Sequence, residues 1–342
     1  MRDRLLVLVL GLALVGAACG GNGGGDGGAG DGGGGNEGPV PITVSMTSWI
    51  GYGLFHLADE KGFFDKHGVD VTISVVEDES NNPAALEADR IQGDLTTVDT
   101  NVRTIAAGVD LVQVLVVDDS NGADGIVATA DIQTVQDLAG KDVGVGVGTT
   151  SYVFLLSVLK DAGMSIDDIH VVDMTPGEAG IAFVAGKLDA AVTWEPFLSK
   201  ATKREGGHVL ISSAEAPGLI VDSLAIRRDW VEAHPDAVVG LIQGYYDAYD
   251  FWQQNPDEAL PIMAESMDLS TEDFEATLPG VTLYGPQQIV DFMNAPADQT
   301  GIAKLTDYIN VFWTDEGIIE APIDIVKAID GTFAEEALQG RT

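Results

Sequence analysis

The chain has 342 residues, 54 of them acidic and 17 basic, for a formal net charge of −37 at pH 7. Phosphate binding draws on clustered Lys and Arg, so this balance argues against a nucleic-acid partner and fits solubility, as in a saline habitat. Cys19 is the one cysteine, which leaves no disulfide framework and no thiolate metal site, and the five histidines fall on separate predicted elements, which gives no metal constellation.

The first predicted element is an export signal. MRDR carries two positive charges, LLVLVLGLALV adds an apolar run too short to span a bilayer, and GAAC follows. Cys19, directly after Ala17-Ala18, resembles the lipobox cysteine of bacterial lipoproteins, which becomes lipid-modified as the new N-terminus; Gly16 stands where that family usually has Leu. Residues 20–38 contain 13 glycines in 19 positions and cannot form a core. They read as a flexible tether with a reach of about 24 Å. The expected layout is a signal peptide over 1–19 and a tether over 20–40, ahead of about 300 residues, enough for two domains.

From Pro41 strand-like and helix-like segments alternate. ITVSMTSW is β-rich, YGLFHLADEKGFFDKHG has apolar residues at helical spacing and stops at Gly68, and VDVTISVVE alternates strictly. NNPAALEADRIQG then reads as helix, DLTTVDT as strand, VRTIAAGV as helix and LVQVLVVDD as strand. This order predicts an α/β fold on a mainly parallel sheet, whose ligands sit beyond the carboxyl ends of the strands. The residues that follow those strands are Ser48-Trp49, Asp99-Thr100-Asn101 and Asp118-Asp119-Ser120-Asn121.

A second unit repeats the pattern, with GIVATA, VGVGV, IHVVDM, AAVTWE and HVLISS as strands and helices between them. After LIVDSLAI the chain turns almost wholly helical, and Tyr245, Tyr246, Tyr249, Phe251 and Trp252 recur at helical spacing as core packing. Two α/β units with a helical tail predict two lobes joined by two crossovers, near Gly122–Ile126 and Ile220–Ala225. The first lobe comprises residues 41–122 and 225–342, the second 123–224. Within the second, KDVGVGVGTTSYVFLLSVL ends a strand on a hydroxyl-rich turn that opens a helix. Its glycines give G-x-G-x-G rather than the dinucleotide G-x-G-x-x-G, and no Gly-Lys-Ser/Thr follows. The turn reads either as an anion cradle at a helix N-terminus or as a plain N-cap with small residues for close packing.

Over residues 42–300 the chain resembles the extracytoplasmic substrate-binding proteins of ABC importers, of the nitrate/taurine/aliphatic-sulfonate type. The segments that carry the resemblance are SWIGYGLFHLADEKGFFDKHGVDV, PAALEADRIQGDLTTVDT, DDSNGADGIVA, DLAGKDVGVGVGTTSYVFLLSVLKDAGM and AFVAGKLDAAVTWEPFLSKA, in that order. The resemblance implies a type II periplasmic-binding-protein fold of two Rossmann-like lobes that clamp a ligand between them. It implies ligand-binding roles for Trp49, Gly51 and Tyr52 in the first loop, Asp99 and Thr100 at the end of the third strand, and Ser120 after the fourth. Thr149, Thr150 and Ser151 then form the head-group loop, Trp194 and Glu195 the far wall, and Asp222 a crossover position. It implies a monomer without cofactor that delivers a small solute to a permease and its ATPase, lipid-anchored at the outer face of the cell membrane or periplasmic.

The candidate loops hold carboxylates and almost no basic side chain; Arg103 is the one candidate, and is expected to face outward. A bare anion would meet Asp99, Asp119 and Glu195 without a counter-charge, so a zwitterion such as taurine fits better, with a cationic or neutral nitrogenous compound or a pyrimidine precursor as the alternative. The rival enzyme class is a pyrimidine-synthase-like protein of the same fold, but those carry a cysteine-rich segment that this chain lacks. A tethered ligand sensor would have the same sequence features. If Cys19 carries the anchor, labelled palmitate enters the protein and Cys19→Ser releases it into the medium; unchanged membrane attachment of that variant would overturn the anchor.

Overall fold

The computed structural model describes residues 38–341; the predicted signal, Cys19 and the tether up to Glu37 lie outside them. Eleven strands form two sheets among the described residues. The first sheet contains β1 (Val40–Met46), β2 (Val69–Val75), β3 (Gly93–Thr97) and β4 (Leu111–Ser120). The second contains β5 (Asp124–Ala128), β6 (Asp142–Val145), β7 (His170–Asp173), β8 (Ala190–Trp194) and β9 (His208–Ser212). The chain then returns to the first sheet with β10 (Val221–Arg227) and β11 (Val281–Leu283). Their spatial orders are β11-β4-β10-β3-β1-β2 and β7-β6-β8-β5-β9.

Neither sheet is mainly parallel, which corrects the expectation from the β-α-β alternation. β1 runs parallel to β2 and β3, and β6 parallel to β7 and β8, whereas β10 is antiparallel to β3 and β4, and β5 to β8 and β9. The reason lies in the crossings. A chain that leaves one sheet at its cleft end enters the other at that same end, so β5 and β10 run away from the cleft while the βα strands run toward it. β10 pairs with β3 and β4 from its first residues, Val221 and Asp222, so the expected lobe boundary at 224/225 falls inside this strand.

The crossings are stitched by two hydroxyls. Ser120 Oγ lies 2.8 Å from Ser213 Oγ, which also accepts the Gly122 N–H at 2.7 Å, while Ser120 Oγ accepts the Asp124 N–H at 3.1 Å. Buried backbone polar groups need such partners, and here they come from both passes of the chain. β4 is buried along nearly its whole length, which is why it reads as a continuous apolar run rather than an alternating one. DLTTVDT, expected to be extended throughout, divides: β3 stops at Thr97, whose hydroxyl accepts the Thr100 N–H, and a helix spans Val98–Ala106.

The helical tail closes the first core. Tyr245 and Tyr246 of the helix Pro235–Gln254 are fully buried, and their hydroxyls donate to the carbonyls of Val117 and Ala334. That helix approaches the Gly68 turn so closely that a Cβ on Gly240 would stand 2.4 Å from the His67 carbonyl oxygen. Gly240→Ala is therefore expected to lower the unfolding free energy by about 1–3 kcal/mol, as overpacking does; an unchanged urea midpoint would show that the helix can shift.

Candidate functional site

β1, β3, β6, β7 and β8 end, and β5 and β10 begin, around one cavity of about 610 Å³. The first sheet contributes Thr47, Trp49, Tyr52, Thr96, Thr97, Thr100 and Arg103; the second contributes Gly146, Val147, Thr149, Thr150, Ser151 and Trp194; the crossing strands add Asp124 and Asp222. Of the sequence-predicted residues, Trp49, Tyr52, Thr100, Thr149, Thr150, Ser151, Trp194 and Asp222 thus come together on its lining.

The floor is a carboxyl cluster. Tyr52 Oη donates to Asp222 Oδ1 at 2.5 Å, Trp49 Nε1 donates to the Asp118 carboxylate at 3.2 Å, and Asp222 stands opposite Asp118 on the neighbouring strand, its Oδ2 buried without a partner. A Cβ on Gly51 would fall 2.2 Å from Asp118 Oδ2, so Gly51 serves by the close approach that only glycine permits and does not itself line the cavity. Burial pushes Asp118 up to about 7 and Asp124 up to about 8, the latter also through the charges of Asp222, Asp99 and Glu195. Asp222 is held well above the carboxylate range by burial and by Asp118. The aromatic side walls meet edge to face, with Trp49 and Trp194 centroids 6.2 Å apart at 85°.

Opposite the floor, hydroxyls bridge the two sheets. Thr150 Oγ1 donates to Asp99 Oδ1 at 3.0 Å and lies 2.7 Å from Thr97 Oγ1. Asp99 and Thr100 stand in the first turn of the helix Val98–Ala106, not at the end of a strand. Asp99 touches Thr150 from behind the lining, its Oδ2 is buried without a partner, and burial raises its carboxyl against the opposing pull of Arg103. Thr149 uses its hydroxyl to donate to the Gly146 carbonyl at 2.7 Å, closing the turn before the helix Thr150–Asp161. Ser151 Oγ is buried without a partner at the start of that helix.

Four side chains are placed otherwise than the sequence reading expects: Arg103, Glu195, Ser120 and Asp119. Arg103 does not face outward: it is the one Lys or Arg on the lining, Nη2 donates to Thr100 Oγ1 at 3.3 Å, Nε is buried without a partner, and the guanidinium lies 5.8 Å from the Trp313 ring centroid. Helical spacing could have found it, because it is three residues after Thr100 and four after Asp99. Glu195 does not face the cavity: its carboxylate accepts the Ser199 N–H at 3.1 Å and the Ser199 hydroxyl at 2.7 Å, capping the helix Phe197–Ala201. Ser120 holds the crossings together instead of lining the cleft. Asp119 accepts the Gly218 N–H outside the cavity. Asp124 and Glu79 line the cavity unforeseen, Asp124 because it begins a strand and Glu79 because one acid is not distinctive among 54. Among the described residues no group of three or more His, Cys, Asp or Glu is arranged to hold a metal ion, and no helix is long and apolar enough to cross a membrane.

Two sheets, joined by two crossings over a polar cleft with aromatic walls, define the class of two-lobed α/β proteins whose ligand cleft lies between the sheets. Residues 51–259 match the family model described as NMT1/THI5 like, and the chain belongs to that family. It is 27% identical over 291 residues to a Bacillus subtilis (strain 168) protein named "Putative aliphatic sulfonates-binding protein", covering 83% of this chain and 84% of that one. Its fold matches the periplasmic aliphatic sulphonate binding protein SsuA from Escherichia coli with a TM-score of 0.71 at 22% identity, over 85% of this chain and 97% of the other. The desulfurization enzyme DSZB shares the fold as well, with a TM-score of 0.65 at 15% identity over 89% of this chain and 100% of the other. Fold alone therefore does not separate binding from catalysis, and the site has to decide.

The buried carboxyls make stability depend on pH. A group raised from 3.8 to about 8 on folding binds its proton more tightly in the folded state, so its stabilising contribution is complete below pH 4 and is lost as pH rises toward 8. Asp124→Asn removes that loss. The variant is expected to gain unfolding free energy relative to the parent between pH 5 and pH 8; a difference that stays constant across that range would contradict the burial of an ionisable Asp124.

Proposed function

We propose that this chain is the solute-binding component of an ABC import system. Lipid on Cys19 and the Gly-rich tether would hold it at the outer membrane face, and it would clamp a small zwitterionic, taurine-like or alkanesulfonate-like solute for delivery to the permease. The observation that carries this reading is the pairing, in one cavity, of a single guanidinium beside a helix N-terminus with the buried carboxyls of Asp222 and Asp124 at the crossings, Asp222 Oδ2 being without a partner. Arg103, Ser151 and the first N–H groups of the helix Thr150–Asp161 suit an acidic head, since a helix N-terminus favours anions. Asp222 and Asp124 suit the amine. Trp49, Tyr52 and Trp194 wall the carbon chain, with Thr100, Thr149 and Thr150 along the polar rim.

A second reading, a purely cationic amine, is favoured by one observation. Arg103 already faces two acids, the buried Asp99 and the half-buried Glu79, so its charge is partly spoken for.

A thermal-shift panel of taurine, ethanesulfonate, nitrate and ethylamine separates the readings. Taurine is expected to stabilise the parent by about 2.7 kcal/mol at a hundredfold excess over Kd. Arg103→Gln should weaken taurine ten- to hundredfold, in line with about 1.5–3 kcal/mol for a hydrogen bond to a charged group, and leave ethylamine unaffected. Stabilisation by ethylamine alone selects the cationic reading, and tight nitrate binding overturns both.

A further inference from the structure

We propose that the cleft takes the positive end of its solute as an N-methylated ammonium, seated against the rings of Trp49, Tyr52 and Trp194 rather than held by a set of hydrogen bonds to the floor acids. This deepens the zwitterionic reading and rests on it for the acidic end, but the cation corner is testable with a cation alone.

The polar edges of two of the walls are already spent. Trp49 Nε1 donates to the Asp118 carboxylate at 3.2 Å, and Tyr52 Oη donates to Asp222 Oδ1 at 2.5 Å. What these side chains still offer a solute is ring carbon, and the face of an aromatic ring attracts cations. Trp194 stands at a right angle to Trp49, 85° with centroids 6.2 Å apart, and Phe197 braces Trp194 at 5.1 Å and 73°. Trp49, Tyr52 and Trp194 line the same cavity of about 610 Å³ as Asp222 and Asp124. A rounded cation set in that corner can touch two rings at once, and the cavity has room for its methyl groups.

Counting acceptors separates the kinds of cation. A primary ammonium carries three N–H donors, and each one taken out of water needs an acceptor. Asp118 accepts from Trp49 and does not reach the lining, and Asp222 Oδ1 is engaged by Tyr52. Among the floor carboxyls this leaves Asp222 Oδ2, buried without a partner, and Asp124. A dimethylammonium has one N–H, which Asp222 Oδ2 can accept, and two methyls for the rings. A trimethylammonium has no N–H to satisfy, and its methyls carry the charge onto the ring faces. Burial also holds Asp222 well above the carboxylate range and Asp124 up to about 8. A full ion pair at neutral pH therefore requires these acids to ionise first, whereas ring faces attract a cation in either protonation state.

Calorimetric titration of the parent protein with four sulfonates is the test: taurine, N,N-dimethyltaurine, N,N,N-trimethyltaurine and 3,3-dimethylbutane-1-sulfonate, the uncharged isostere of the trimethyl compound. Both methylated taurines are expected to bind more tightly than taurine. The trimethyl compound is expected to exceed its isostere by about three- to thirtyfold, the worth of a cation over a ring. Equal binding of the isostere would show an apolar corner with no preference for charge, and tighter binding of taurine would show an amine held by hydrogen bonds. Either result overturns the inference and leaves a sulfonate-binding cleft standing. Trp194→Leu should weaken the methylated taurines more than taurine, and Trp194→Phe should restore part of the difference; an equal loss for all four solutes would make Trp194 a structural wall and overturn its role. If no sulfonate binds, the zwitterionic reading fails, and a thermal-shift comparison of tetramethylammonium with ethylamine decides the corner: stabilisation by tetramethylammonium supports it, and its absence overturns it.

Discussion

Two carboxyls, Asp118 and Asp222, lie against each other in the interior where the chain passes between its sheets, and much of the cleft is arranged around satisfying them. A buried pair of ionised carboxylates would cost several kcal/mol per ion in lost hydration alone. Trp49 and Tyr52 aim their N–H and O–H at the pair, and Gly51 leaves the room for Asp118 to approach the backbone. The aromatic residues that would wall a solute are therefore the same ones that hold the floor. Binding surface and buried acid are one construction.

A second layer of polar contacts decides how the two sheets meet. Ser120 and Ser213 tie the crossings together on one side of the cavity. Thr97, Asp99 and Thr150 bridge the sheets on the other. The hydroxyl-rich turn before the helix Thr150–Asp161 thus divides its work: Thr149 closes the turn on Gly146, Thr150 reaches across to the first sheet, and Ser151 keeps an unpaired oxygen. A solute that displaces the bridging contacts has to replace them, which favours ligands rich in acceptors and charged donors over apolar ones.

The same fold serves a sulphonate-binding protein and a desulfurization enzyme, so its function lives in the lining and not in the sheets. Here the lining offers one guanidinium against several buried acids and aromatic walls. Burial holds the carboxyls of Asp118, Asp124 and Asp222 well above their usual range, so the protonation of the lining depends on how completely the cleft excludes water.

How much of this was legible without coordinates follows from the range of the interactions involved. The strand and helix order, the helical tail and its buried tyrosines, and the clustering of Trp49, Tyr52, the Thr149 loop, Trp194 and Asp222 came from periodicity and from the family resemblance, because local backbone preferences and core-facing patterns are written in consecutive residues. Glu195 was misplaced because a carboxylate four residues before Ser199 can cap a helix as readily as it can face a cleft, and only the helix's direction decides. Arg103 was turned the wrong way because the rotation of the helix Val98–Ala106 is set by what it packs against, including Trp313 more than 200 residues along the chain. Asp124 stayed hidden because β5 runs against the βα strands, which puts its first residue, not its last, at the cleft. By itself the sequence determined the elements, the class of fold and the acidity of the cleft. Only the tertiary structure decided which acids face inward and where the single cation stands, since those depend on strand direction and helix rotation, which arise from contacts between residues far apart in the chain.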